Sequence, residues 1–185
     1  MNYYLLESKF IEDEAYFSFV EDFNDIEDKS DLSIKYYKKT PLIKVDQVYK
    51  QRRMSDVLKT VDYIAHRRLV DVLTANFVTG VQFIPVDVDV DGKVYHDYFY
   101  MNVFPSYNLL HLSSSQARNY SDYYNSYDFI LNMVFDMDKL DKANVSHDFF
   151  RVKEYVSEVI INEKIKNIID ENNITGVVAF PVEIV

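Results

Sequence analysis

One internal match constrains this chain more than any other feature. Residues 67–88 (RRLVDVLTANFVTGVQFIPVDV) align with residues 163–184 (EKIKNIIDENNITGVVAFPVEI) at an offset of 96. Asn76/Asn172, Thr79/Thr175, Gly80/Gly176, Val81/Val177, Pro85/Pro181 and Val86/Val182 are identical in register. The 185 residues include only three glycines and four prolines, and two of each fall inside this match, so chance is a poor explanation. Leu69, Val72 and Leu73 sit at i, i+3 and i+4, as do Ile165, Ile168 and Ile169, giving each copy one apolar helical stripe. Asn162 is a good N-cap, whereas His66 at the matching place is a poor one. Asn76 and Asn172 stand where a left-handed C-terminal residue is expected. Gly80 and Gly176 supply a sharp entry into a strand. Each unit therefore reads helix, tight turn, strand. Pro85 and Pro181 cannot donate to a ladder, which predicts that each strand lies at an edge or carries a bulge.

The first of these strands runs into a hairpin. Val86, Val88 and Val90 alternate with Asp87, Asp89 and Asp91, and Asp91-Gly92 is a type I′ turn signal before a long aromatic return strand, 93–104. The same letters open like a calcium-binding loop, but Tyr98 stands where that loop needs a bidentate Glu, so the hairpin is the better reading. Elsewhere, 2–6 and 15–20 read as strands and 22–31 as an acidic loop. Ser55 caps a short helix through Lys59, and 61–65 reads as a strand. Residues 127–135 form one apolar strand or buried helical segment, and 149–152 and 159–161 are short strands. Short alternating elements without a strict βαβ rhythm predict an α+β fold with a mixed or mainly antiparallel sheet and flanking helices. The expected organisation is a single domain over 1–185, with two sub-lobes, 1–105 and 106–185, as its natural subdivision.

Composition removes whole classes of function. No cysteine is present, which excludes disulfides and thiol catalysis, and four scattered histidines speak against a structural zinc site. No apolar run approaches the ~18 residues of a membrane span. Residues 1–12 lack the basic and small-residue signature of a secretory signal, so a cytoplasmic location is expected. The net charge of −10 is segregated. Residues 1–33 hold ten acids against Lys9 and Lys29, and residues 34–68 hold ten bases against three acids. The basic stretch Lys35–Arg53 interleaves Tyr36, Tyr37 and Tyr49 and could bind phosphates, but the acidic whole repels a polyanion, so no nucleic-acid partner is expected. Mutual attraction of the chain's own acidic and basic segments explains the segregation better.

Motifs for chemistry are missing. The chain has no G-x-S-x-G, P-loop or H-E-x-x-H, and no cofactor or metal is expected. His111 beside Ser113–Ser115 could pair a base with a hydroxyl, but no orienting acid stands near it in sequence. Segment 106–128 is different. It sets Tyr107, His111, Arg118, Tyr120, Asp122, Tyr123, Tyr124 and Tyr127 among Ser and Asn, the composition of adaptable protein-binding surfaces. These eight residues, with the acids of 12–31, are the candidate contact surface. The other reading is a loop whose tyrosines merely cover a sheet.

The C-terminal third carries a resemblance. Asp148-Phe-Phe-Arg-Val152, Val159-Ile-Ile-Asn-Glu-Lys-Ile-Lys166, Ile174-Thr-Gly-Val177 and Phe180-Pro-Val182 resemble the eleventh numbered family of bacterial polymorphic-toxin immunity proteins. Met1–Leu6, Ser55–Leu58, Ile64–Leu69 and Tyr100–Val103 are similar to its earlier parts. The chain departs from the family at His111 and Ser113–Ser115, and in having His66 and Asn162 as helix caps. The resemblance implies inhibition of a cognate toxin by binding and occlusion, with no catalytic residues. An acidic inhibitor suits a basic toxin through electrostatic steering. The alternative is an enzyme or small-ligand domain whose pocket does not show in sequence.

Overall fold

Side-chain alternation sorts the strands into two layers with a shared interior. The computed structural model describes residues 2–9, 11–20, 33–37, 39–60 and 62–185. Within them lie fifteen strands: β1 (Tyr3–Ser8), β2 (Phe17–Phe19), β3 (Leu42–Val45), β4 (Val57–Lys59), β5 (Tyr63–His66), β6 (Val81–Val90), β7 (Lys93–Val103), β8 (Ser106–Tyr107), β9 (Arg118–Ser121), β10 (Ser126–Phe129), β11 (Val134–Phe135), β12 (Phe149–Val152), β13 (Tyr155–Asn162), β14 (Val177–Pro181) and β15 (Glu183–Ile184). The helices are α1 (Arg67–Ala75), α2 (Met137–Ala143) and α3 (Glu163–Glu171). Six strands make one sheet in the order β2-β3-β6-β7-β5-β4, and five make another in the order β14-β1-β13-β12-β8. Most neighbours are antiparallel, while β3–β6, β8–β12 and β11–β15 are parallel. The fold is α+β with mixed sheets, as the short alternating elements predict.

A central cluster takes alternate residues from both sheets. Tyr63 and Ala65, Met101 and Val103, and Val159 and Ile161 meet Leu69, Leu73, Ile165 and Ile169 of the two helices there. The intervening residues point the other way: Ile64, Tyr98 and Tyr100 into a second cluster, and Phe150 and Ile160 into a third. Each sheet is thus buried on both faces, which explains why β12 and the end of β13 show no polar alternation. Burying Phe149, Phe150, Ile160 and Ile161 contributes roughly 1.5–3 kcal/mol each, so these strands form the firm base for what projects from them.

Several local expectations need correction. His66 does cap α1. Its Nε2 faces Asp97 at 2.9 Å, and Nδ1 is left to accept the Arg68 N–H at 3.2 Å. A ring proton held on Nε2 by the carboxylate makes histidine an acceptor here. Asn162 caps α3 by accepting the Ile165 N–H, as expected. Asn76 and Asn172 are not left-handed (φ −94° and −93°); the turn comes one residue later, at Phe77 (φ 51°) and Asn173 (φ 49°). Ser55–Lys59 is no helix. Val57 and Leu58 face different clusters, the period of a strand. Segment 127–135 splits into β10 and β11. The strand read over 61–65 begins at Tyr63, and that over 15–20 narrows to β2. The acidic loop of 22–31 lies outside the described residues.

The prolines behave as their missing N–H requires. Pro181 is in the edge strand β14. Pro85 is in β6, an interior strand, but β3 pairs with Asp87–Asp89, so among the described strands Pro85 has only β7 beside it and is followed by a bulge at Val86/Val88. Asp91 and Gly92 both have positive φ (54° and 90°), the type I′ geometry expected of that turn.

Phe77 gives a first prediction. It is 87% exposed and left-handed, a conformation that costs a bulky L-residue about 1–2 kcal/mol. Asparagine tolerates that conformation and already fills the equivalent place at Asn173. Phe77→Asn should therefore stabilise the protein by about 1 kcal/mol, read as a higher urea midpoint. An unchanged or lower midpoint would show that Phe77 earns its conformation through contacts.

Candidate interaction surface

The segment singled out for its tyrosines folds as a projecting hairpin. β9 and β10 pair as Arg118↔Phe129, Tyr120↔Tyr127 and Ser121↔Ser126. Directly paired residues share a face, so Arg118, Tyr120, Tyr127 and Phe129 line one side of the ribbon. Tyr120 meets the Tyr127 ring edge-on with centroids 5.0 Å apart, and its hydroxyl donates to Asn125 Oδ1. At the tip, Tyr123 and Tyr124 are 88% and 58% exposed and pack edge-on at 4.8 Å, beside the exposed Asp122. Asn125 takes positive φ (50°), a conformation asparagine tolerates, which lets the turn between β9 and β10 close without glycine, and Asn119 takes it (56°) within β9. Phe129 and Leu131 extend the apolar exposure at its base.

The hairpin stands on the firm base described above. Tyr127 N–H donates to Glu154 O at 2.8 Å, tying β10 to the turn between β12 and β13. Leu131 N–H donates to Ser115 O at 2.9 Å, and Ser115 Oγ both donates to Val134 O and accepts Val134 N–H at 3.2 Å. Ser115 is fully buried, and its hydroxyl is committed to β11. His111 pairs with Ser114 Oγ at 2.8 Å in the same turn.

Six of the eight candidates, Arg118, Tyr120, Asp122, Tyr123, Tyr124 and Tyr127, gather on this ribbon. Tyr107 and His111 do not. Tyr107 lies in β8, with its ring edge-on to Phe150 at 5.3 Å and its hydroxyl against His147 Nδ1 at 2.5 Å. Of the acids proposed beside them, Glu12 and Asp13 are exposed and Glu14 is buried.

Two bases of the basic stretch are answered from within. Arg52 pairs with Asp91 at 2.6 Å, Lys44 with Asp89 at 3.8 Å, and Gln47 donates to Asp91 at 3.1 Å. Asp87 meets His96 at 2.7 Å. The acidic tip of the β6–β7 hairpin thus docks residues 44–52.

The two aligned segments clasp each other's hairpins. Thr175 donates its N–H and hydroxyl to Asp56 Oδ2 at 2.9 and 2.8 Å, and Arg68 joins at 2.9 Å. Thr79 donates its N–H and hydroxyl to Asp148 Oδ2 at 2.9 and 3.1 Å, where Lys164 joins at 3.2 Å. Val57 N–H reaches Thr175 O and Phe149 N–H reaches Thr79 O, at 3.0 and 3.1 Å. Burial pushes both carboxyls up. Hydrogen bonds outweigh it, from Thr175 and Arg68 to Asp56 and from Asn162, Thr79 and Lys164 to Asp148, so each lies below the usual carboxylate range.

Among the described residues no group of three or more His, Asp or Glu is placed to hold a metal ion, and no helix is long and apolar enough to cross a membrane. A comparison with protein families matches residues 7–183 to the immunity protein family Imm11. The chain belongs to that family. Membership gives this Imm11 chain an immunity function and implies a toxin as its partner. No curated protein matches it.

Proposed function

We propose that this chain neutralises a cognate bacterial toxin in the cytoplasm by direct binding and occlusion, without catalysis, and that the β9–β10 ribbon supplies the central contact. The observation that carries the reading is the exposed pair Tyr123 and Tyr124 at the tip of a ribbon tied by backbone hydrogen bonds to Glu154 and Ser115. Tyrosine offers a large rigid contact for two rotatable bonds, and Tyr and Arg are the residues on which interface energy concentrates. Such an anchor works best when the free protein already holds it in place, because little ordering cost is left for binding. The net charge of −10 suits a basic toxin, whose approach it would accelerate.

Two structural readings belong with this one. Residues 67–88 and 163–184 are copies of one helix-turn-strand unit, and 1–185 is a single domain. The reciprocal bonding of Asp56 with Thr175 and of Asp148 with Thr79 supports both, because each copy then completes the other.

The test is co-expression with the product of the gene immediately upstream, followed by calorimetry. The wild type should rescue growth and form a one-to-one complex. Tyr123→Ala with Tyr124→Ala should weaken that complex by about 30-fold or more, the size of an interface anchor, with the unfolding midpoint unchanged. Undiminished affinity would remove the ribbon from the interface.

A further inference from the structure

The β9–β10 ribbon inverts the rule by which strands bury their large side chains. Tyr120 is paired directly with Tyr127, and Arg118 with Phe129, so these four lie on one side. Alternation puts the pair Ser121 and Ser126 on the other side. The serines are the covered pair: Ser126 is 7% exposed and Ser121 is half-buried. The aromatic side faces solvent, with Tyr120 exposed and Phe129 at 45%. Burying a Phe side chain stabilises a fold by about 1.5–3 kcal/mol, a gain this fold does not take in full. The inversion continues past the ribbon. Ile130 packs into the third cluster, while Leu131 next to it is 55% exposed. Leu131 N–H donates to Ser115 O at 2.9 Å, in the turn where Ala117 N–H donates to the O of the exposed Leu112 at 3.2 Å.

Fifteen large apolar side chains are exposed among the described residues, and six of them, Leu112, Tyr120, Tyr123, Tyr124, Phe129 and Leu131, fall within 112–131. Single exposed apolar residues need no explanation, whereas a contiguous set marks a contact surface. Shape and charge say for what. Six residues of extended chain, from the Asn125 turn to Leu131, span ~20 Å. A small ligand needs a concave pocket, which the face of a ribbon does not give. A nucleic acid needs an array of bases, and Arg118 is the only Lys or Arg between 112 and 131. What fits is a protein whose own contact face is apolar and little charged, on the scale of a standard interface of ~800 Å² a side. A second copy of this chain would bring a second net charge of −10 to the contact, and like charges repel.

We propose that the toxin implied by family membership docks lengthwise along this strip, from Tyr124 at the tip to Leu131 and Leu112 at the foot, through an uncharged apolar face of its own. Apolar burial then holds the complex together, and the acidic charge of the rest of the protein acts on the rate of approach alone. The inference rests on the immunity reading, and it adds the chemistry that the partner must present and the extent of the contact.

Phe129→Thr with Leu131→Thr strips the foot and leaves the tip tyrosines in place. Both side chains are exposed, so the urea midpoint should hold. Affinity for the co-expressed toxin should fall at least about tenfold. Val94→Thr, which removes an exposed apolar side chain from β7, should bind as the wild type does. Dissociation of the wild-type complex should change less than about twofold between about 0.05 and about 0.5 M salt, because screening acts on charges and not on apolar contact. If Tyr123→Ala with Tyr124→Ala weakens binding but the foot variant binds as tightly as the wild type, the strip proposal fails and the immunity reading stands. Dissociation that quickens about tenfold with salt would also overturn it, by showing an interface held by charge. Sedimentation of the protein alone tests the other occupant: a dimer that the foot variant dissolves would assign the strip to a second copy. If the wild type binds no toxin, the immunity reading fails and the claim of a toxin on the strip falls with it.

Discussion

Gly176→Ala is expected to destabilise the protein more than any exposed-turn substitution, and Gly80→Ala to do the same. Both glycines have positive φ, 91° and 86°, which alone strains an L-residue by about 1–2 kcal/mol. The larger effect is contact. A Cβ on Gly176 would lie 2.0 Å from the carbonyl oxygen of Val57, and one on Gly80 would lie 2.0 Å from that of Phe149. Neither obstacle is a side chain that can rotate away. Each oxygen belongs to the residue whose N–H bonds the threonine beside the glycine, Val57 to Thr175 and Phe149 to Thr79. Making room would pull Asp56 or Asp148 off its threonine as well. A loss of more than about 4 kcal/mol is expected, a large share of the roughly 5–15 kcal/mol that holds an ordinary domain folded. Gly92 supplies the control. Its φ is 90° but nothing lies within 4 Å of an added Cβ, so Gly92→Ala should cost only about 1–2 kcal/mol of backbone strain. Urea unfolding followed by circular dichroism ranks the three. Gly176→Ala and Gly92→Ala with similar midpoints would mean that the clasp yields without cost.

The two clasps also show where sequence reading succeeds and stops. Thr-Gly at 79–80 and 175–176 was legible as a strand entry because φ and strand entry are local properties. The partners of those threonines were not, since Asp56 and Asp148 lie in other segments. A signal was present all the same: Asp56 and Asp148 each precede two apolar residues, Val57-Leu58 and Phe149-Phe150. Ser55–Lys59 misled because three residues of strand are too short to show a period, so a plausible cap carried the reading. The ribbon was legible as composition, with six of its residues named beforehand, but not as a hairpin. Its turn uses one left-handed asparagine, Asn125, in place of the usual Asn-Gly or Asp-Gly pair. The meeting of residues 7–8, 60, 62–63 and 157–158 was not legible at all, because they come together only once the two sheets pack.

Arg151 is the buried charge on which that packing turns. It is 2% exposed in β12, an otherwise apolar strand. Its Nε donates to Val103 O at 3.2 Å, Nη1 donates to Val156 O at 2.8 Å and Ser157 O at 3.4 Å, and Nη2 faces Asp62 at 3.5 Å. Asp62 in turn accepts the Tyr63 N–H at 2.9 Å and the Tyr100 hydroxyl at 3.1 Å. One guanidinium thus joins β7 and the β4–β5 turn of the six-stranded sheet to β13 of the other. Arg151→Met conserves much of the volume but strands three carbonyls and a buried carboxylate. Such one-sided removal costs about 3–5 kcal/mol, whereas a buried pair exchanged as a whole is often nearly neutral. Asp62→Asn should cost less, because its one amide oxygen can still accept the Tyr63 N–H that Oδ1 accepts now, and Arg151 keeps its three carbonyls. The decisive variant is the double one, Asp62→Asn with Arg151→Met, in which neither charge is left unpaired. It should be less destabilised than the sum of the singles by about 2 kcal/mol in urea unfolding. Strict additivity would mean that Arg151 holds the sheets through its carbonyl contacts alone, and that Asp62 acts through Tyr63 and Tyr100.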